Sequence, residues 1–179
     1  MKNLLYDSDD PYAELSQVGR YFLGGIIDHI GAIAAFTLPD CHSYVGANIR
    51  YATWGRFSRN HALRVALHPP RYPKYKRIEF SLADPLTNPY LAIGALLLAG
   101  LDGILRKIEP GDPYNGDPVK LTAKEAQERR FEKVPSSLRE ALEKLETDSK
   151  FLEVAFPKSL IETYIEIKRE EIRARQKSV

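Results

Sequence analysis

One stretch constrains this chain more than any other: Arg77-Ile78-Glu79-Phe80-Ser81-Leu82-Ala83-Asp84-Pro85, running into Asn88-Pro89-Tyr90-Leu91-Ala92. Its alternation predicts a strand with Arg77, Glu79 and Ser81 on one face and Ile78, Phe80 and Leu82 on the other. The apolar face suits a core. Asn88 is a favoured N-cap, and Pro89 sits at the first helical position, where a missing N–H costs nothing. The helix expected over 89–108 is apolar nearly all round and is therefore expected to be buried. The polar strand face sets the Glu79 carboxylate where a metal or a cation could meet it. On pattern alone Glu79 reads first as a solvated strand carboxylate paired with a neighbouring arginine.

The remaining elements read in the same way. Leu15, Val18, Phe22, Ile26, Ile30 and Ile33 recur at three- and four-residue steps and predict a helix over 13–36. Gly24-Gly25 lies inside it at a cost in propensity, which points to a neighbouring backbone at close range. His29, beside this apolar face, reads as a hydrogen-bonded core residue before a ligand. Residues 43–68 read as short, irregular strands, with a turn at Gly46-Ala47-Asn48 and a second strand at 51–55. Arg59 and Arg64 stand on opposite faces of a regular strand, so a bulge near Asn60-His61 is needed to bring them together; otherwise they are two separate surface arginines. Residues 68–76 form a proline-rich basic loop whose tyrosines could stack on a ring, although such loops are more often connectors. Residues 110–135 read as a surface excursion. Ser137-Leu138-Arg139-Glu140 and Ser159-Leu160-Ile161-Glu162 are capping boxes for helices to about 147 and 175. In the last helix Leu160, Tyr164, Ile167 and Ile172 are expected inward, with Glu171 paired to Arg175.

Composition narrows the class. The 179 residues are 44% hydrophobic and 28% charged, enough for one globular domain. A net charge of +2 is too small to argue for nucleic acid. The single cysteine, Cys41, excludes an internal disulfide and suits a reducing, cytoplasmic setting. No uninterrupted apolar run reaches the roughly 18 residues of a membrane span, so no membrane partner is expected.

The ordered residues themselves carry a resemblance. Leu4-Leu5-Tyr6-Asp7, Phe22-Leu23-Gly24-Gly25-Ile26-Ile27-Asp28-His29, Ser43-Tyr44, Ala52-Thr53-Trp54-Gly55, Arg59 and Arg64 come first. Arg77-Ile78-Glu79-Phe80, Asn88-Pro89-Tyr90-Leu91-Ala92, Ala99-Gly100-Leu101-Asp102-Gly103-Ile104 and Pro135-Ser136-Ser137-Leu138-Arg139-Glu140-Ala141-Leu142 follow. In this order they resemble the C-terminal part of the glutamine synthetase catalytic domain, nearly end to end. The resemblance implies an α+β fold, a small antiparallel sheet packed with long helices. It implies one partial catalytic domain over 1–179, without the family's N-terminal β-grasp domain and first catalytic half. The implied activity joins glutamate to ammonia, or to another amine, at the expense of ATP through a γ-glutamyl phosphate, with Mg²⁺ or Mn²⁺. By the same resemblance Glu79 is a metal ligand, Arg64 faces the transferring phosphate and Arg59 stands beside it. Lys74, Lys76 and Arg77 fall at the nucleotide side.

The departures from the family pattern are equally specific. The segment from Tyr44 to Arg59 is about five residues short. Gly46 stands near the place of a glutamate-binding arginine and Ala52 near that of a flap glutamate, with Arg50 a candidate replacement for the former. Ser81 stands where the family has an arginine, and Trp54-Gly55 resembles the amine-ligase branch. Glu79 alone cannot hold Mg²⁺, which needs several hard oxygen ligands. The expected partner is therefore a glutamine synthetase-like N-terminal half, in a homo- or hetero-oligomer. The alternative is a non-catalytic relative that binds nucleotide, or a full synthetase, and regulates it.

Overall fold

The computed structural model describes residues 3–11, 13–46, 48–67 and 72–176. Residues 68–71 of the basic loop, Ala47 of the expected turn and Lys177 lie outside them. Helix α1 spans Gln17–Asp28, and the side chain of its N-cap, Ser16, accepts from the Gly19 N–H. Helix α2 spans Ile30–Thr37. The single helix expected over 13–36 is thus two. The break falls at His29, which takes φ −98° and ψ 10° and turns its ring into the protein. Residues 41–44 form a 3₁₀ turn rather than a strand, because Asp40 and Ser43 satisfy each other's backbone in a capping box.

Three short strands follow: β1 (Trp54–Gly55), β2 (Leu63–Val65) and β3 (Ile78–Phe80). β2 and β3 are antiparallel, with Leu63 opposite Phe80, Arg64 opposite Glu79 and Val65 opposite Ile78. β1 lies parallel to β2, the one departure from an antiparallel sheet. The chain folds back tightly between them, and a Cβ at Gly55 would lie 2.3 Å from His61 Nε2. That close approach brings β2 back in the direction of β1.

Helix α3 (Pro89–Arg106) begins as expected, the Asn88 side chain accepting from the Tyr90 and Leu91 N–H groups. It ends at Lys107, in the left-handed conformation. Its expected burial is corrected. Ala92, Ala95, Ala99, Gly100 and Gly103 face inward, while Tyr90 (87% exposed), Ile93 (57%), Leu97 (56%) and Leu105 (71%) form an outward stripe. The small residues are inside because α1 packs there backbone to backbone. A Cβ at Gly25 would lie 2.1 Å from the Ala99 carbonyl oxygen, and one at Gly24 would lie 2.1 Å from that of Ile108. The glycine pair therefore has the neighbour its sequence asks for. By length and composition α3 could also cross a membrane, once its charged residues are tolerated in the window; its small-residue face packs on α1.

The excursion after α3 is not bare surface. Tyr114, Leu121 and Ala126 form a small second cluster with Tyr51 and Phe131, carried partly by α4 (Ala123–Glu128). Tyr51 bridges to Lys133. Helices α5 (Leu138–Thr147) and α6 (Lys158–Gln176) close the chain. The inward stripe of α6 is Ile161, Ile165 and Ile172, with Leu160 and Ile167 exposed. Arg175 pairs with Asp40 across the fold at 2.6 Å, and Glu171 pairs with Lys168 instead.

Candidate functional site

The β2–β3 register places Arg64 directly across from Glu79, and alternation along β3 puts Arg77 on the same face. Arg64 Nε donates to Glu79 Oε2 at 2.9 Å, and its Nη2 reaches the same oxygen. Arg77 Nε donates to Oε1 at 2.8 Å. Two guanidinium groups thus hold one carboxylate, each on its own oxygen. The hydrogen bond from Arg64 is the chief reason that the Glu79 carboxyl is held below the usual carboxylate range. Slight burial opposes it and Arg77 adds to it. Glu79 is therefore an ionised hard-oxygen donor on a half-buried strand, a type that can ligate a divalent cation, with both of its oxygens engaged by arginines in this structure. It is also the arginine-paired strand carboxylate that its pattern suggests.

Arg59 stands exposed on the turn before β2 and makes no hydrogen bond or ion pair among the described residues. The structure does not bring it into contact with Arg64 or Glu79. Lys74 is exposed, its ammonium 5.1 Å from the centre of the Tyr75 ring, and the Tyr72 and Tyr75 rings lie 5.7 Å apart. The Asn3 side chain pins this turn, donating to the carbonyls of Pro73 (3.1 Å), Lys74 (3.3 Å) and Lys76 (2.8 Å).

Lys76 corrects its expected place at the nucleotide side. It is 3% exposed, and its Nζ donates inward to the Ala13 carbonyl at 2.6 Å and to Glu14 at 3.3 Å. Burial pulls its pKa down, only partly offset by Glu14. The ammonium is committed to fastening the loop onto the segment before α1. Arg50 is committed too, its Nη2 donating to the Val119 and Leu121 carbonyls at 3.1 and 3.4 Å. It therefore does not supply a free guanidinium for a substrate carboxylate. Trp54 is a core residue, its indole N–H donating to Gly111 O at 3.1 Å. Beside it a groove of about 490 Å³ opens between α1 and residues 108–112 and 129–132. Ser81 is exposed, and its backbone N–H donates to Ala62 O at 2.9 Å.

A cluster that the sequence reading did not assemble surrounds His29. Asp28, His29 and Asp102 bring one ligand atom each within 4.8 Å of one another. Arg106 Nη1 already bonds both carboxylates, at 3.0 and 2.9 Å, so the cluster is an ion-pair network. Asp28 and His29 are adjacent in the sequence, but only helix packing brings Asp102 of α3 to them.

The family described as "Glutamine synthetase, catalytic domain" matches residues 1–179. A glutamine synthetase from Sulfolobus acidocaldarius is 39% identical over 181 residues, covering 98% of this chain and 38% of the relative. One from Streptomyces coelicolor is 41% identical, covering 93% of this chain and 36% of the relative. A cryo-EM structure of Plasmodium falciparum glutamine synthetase superposes with a TM-score of 0.82 at 29% identity, over 99% of this chain and 43% of that one. The chain thus spans less than half the length of these relatives.

Proposed function

The chain belongs to the glutamine synthetase family, and from that premise we propose that it supplies the C-terminal share of an ATP-dependent ligase joining glutamate to ammonia or another amine. The observation that carries this reading is the Arg64–Glu79–Arg77 arrangement: two phosphate-matching guanidinium forks gathered on one ionised carboxylate. In the proposed site Arg64 and Arg77 bind and orient phosphoryl oxygens, and Lys74 supplies a further exposed cation at the nucleotide side. Arg59, uncommitted, is free to face the nucleotide or the reacting carboxylate. Glu79 would hold one position of Mg²⁺ or Mn²⁺, which when bound neutralises phosphate charge. The other metal ligands, and a base for the amine, come from a glutamine synthetase-like portion that this chain does not span, in a cytoplasmic homo- or hetero-oligomer.

The test is reconstitution. The chain alone should form no γ-glutamylhydroxamate with Mg²⁺ and ATP. Co-expressed with the portion of the Sulfolobus acidocaldarius relative that its match leaves uncovered, it should co-purify and turn over. The outward stripe of α3 favours such association, since apolar surface of this extent normally marks an interface. Turnover by the isolated chain, or a stable monomer that never joins the added portion, would sink the reading.

A second reading rests on its own observation. Arg50 is tied to carbonyls and Glu79 is saturated by arginines, which suits a nucleotide-binding relative without catalysis. Calorimetric titration addresses the part common to both readings. Wild type should bind ATP weakly, and Arg64→Ala should abolish binding while costing about 1 kcal/mol or less of stability, because Arg77 still holds Glu79. A large fall in melting temperature, with no ATP binding by the wild type, would make Arg64 a structural residue only.

A further inference from the structure

His29 lies at the junction of α1 and α2, 4% exposed, and both of its ring nitrogens meet carboxylates. Nδ1 is 2.8 Å from Asp148 Oδ2, at the end of α5, and Nε2 is 2.9 Å from Asp102 Oδ2, on α3. A carboxylate only accepts, and a neutral imidazole carries one N–H, so two such bonds at once require both ring nitrogens to be protonated. The ring is stacked on Phe151 at 3.9 Å between centroids, which fixes its plane. We propose that His29 is a buried imidazolium ion that locks the α1–α2 junction to α3 and to the end of α5, a lock that opens as the ring loses its proton.

The charged groups around the ring come from α1, α3 and α5, while the turn at 150–152 stacks Phe151 on it and carries Lys150, which is exposed. α1 brings Asp28, 4.0 Å from Nε2. α3 brings Asp102 and also Arg106, which binds Asp102 and Asp28. The end of α5 brings Asp148. Lys144 of α5 lays its stem on Gly31 of α2, and its ammonium donates to Glu132 at 3.5 Å. Three carboxylates against one guanidinium leave two negative charges unbalanced, and the imidazolium offsets one of them. Burial alone would push the ring toward its neutral form; the bonds to Asp148 and Asp102 outweigh it and hold the ring above its ordinary value of about 6.5. A group that titrates higher in the folded state stabilises fully below its unfolded value, about 6.5, and that share is lost as pH rises through the folded value. Asp102 works at the acid end. Burial raises its carboxyl, but the bonds from His29 and Arg106 bring it below the usual range, so its share disappears as pH falls. His61 opposes: buried beside Thr53, its ring is pushed below its ordinary value by desolvation, and acid destabilises it.

Because several groups titrate together, the test reads His29 itself. In ¹⁵N-resolved NMR of the wild-type chain at pH 6, both ring nitrogens of His29 should appear protonated, and the ring should titrate above about 6.5. Asp102→Asn should move that midpoint down. In thermal melts, wild type should lose stability from pH 6 to 9. Each unit by which the folded titration exceeds the unfolded one is a tenfold loss in the folding constant, or roughly 3–5 °C. His29→Gln should flatten that slope. An unprotonated ring nitrogen at pH 6, a midpoint at or below 6.5, or an unchanged slope in a folded His29→Gln variant would overturn the proposal. If His29→Gln does not fold, the wild-type titration decides.

Discussion

Gly25→Val should leave the chain unable to fold at 25 °C, and Gly25→Ala should cost at least about 3 kcal/mol. A Cβ at position 25 would lie 2.1 Å from the Ala99 carbonyl oxygen and 2.7 Å from the Gly103 nitrogen and Cα. All three are backbone atoms of α3, so no rotamer change relieves the collision; the helices must separate along their whole contact. That contact buries the small-residue face of α3 against α1, so separation also loosens packing around Ala95 and Ala99. Against a total stability of about 5–15 kcal/mol, the loss is large. Gly31→Ala is the matched control. The atoms nearest its Cβ would be stem carbons of the Lys144 side chain, at 3.1–3.3 Å, which need give only a few tenths of an ångström, and the helix gains up to about 1 kcal/mol of propensity. Denaturant melts showing equal losses for Gly25→Ala and Gly31→Ala would refute the backbone-contact argument.

Glu79→Gln should have opposite effects on binding and on turnover. The amide keeps the shape of the side chain and removes its charge, which frees Arg64 and Arg77 from their ion pairs. ATP affinity of the isolated chain should therefore rise several-fold. In the reconstituted assembly, where the proposal makes Glu79 a metal ligand, turnover should fall by at least ~100-fold, beyond the effect of an outer-shell change. Stability should move by about 1 kcal/mol or less, because the Glu79 side chain is 31% exposed and the strand pairing is backbone. Unchanged turnover in the assembly would reduce Glu79 to a pairing residue and remove the ligase reading's only metal contact within this chain.

The strand face carrying Arg77 and Glu79 was legible because alternation fixes which residues share a side, whatever lies across from them. The start of α3 was legible because Asn88 and Pro89 act through their own backbone neighbours. The place of Lys76 was not legible, for the opposite reason. A lysine in a basic, proline-rich stretch looks the same whether its ammonium meets solvent or the Ala13 carbonyl, and only the fold closing over it decides. In α6 Ile172 is buried and Tyr164 packs against the core as expected, but Ile161 and Ile165 are buried while Leu160 and Ile167 are exposed, a choice that a long amphipathic helix leaves open until its neighbours fix it.

By itself, then, the sequence determined what acts at short range: the caps, the strand alternation, the glycine pair that demands a close backbone, and the ordered motifs that set the family. Only the tertiary structure decided which face of α3 is buried, since an all-round apolar helix has no preferred side until α1 presses on its glycines and alanines. It also decided the state of His29, whose charge depends on Asp102 and Asp148. Those carboxylates are brought to the ring by helix packing, and no local propensity encodes a hydrogen bond between residues 119 positions apart.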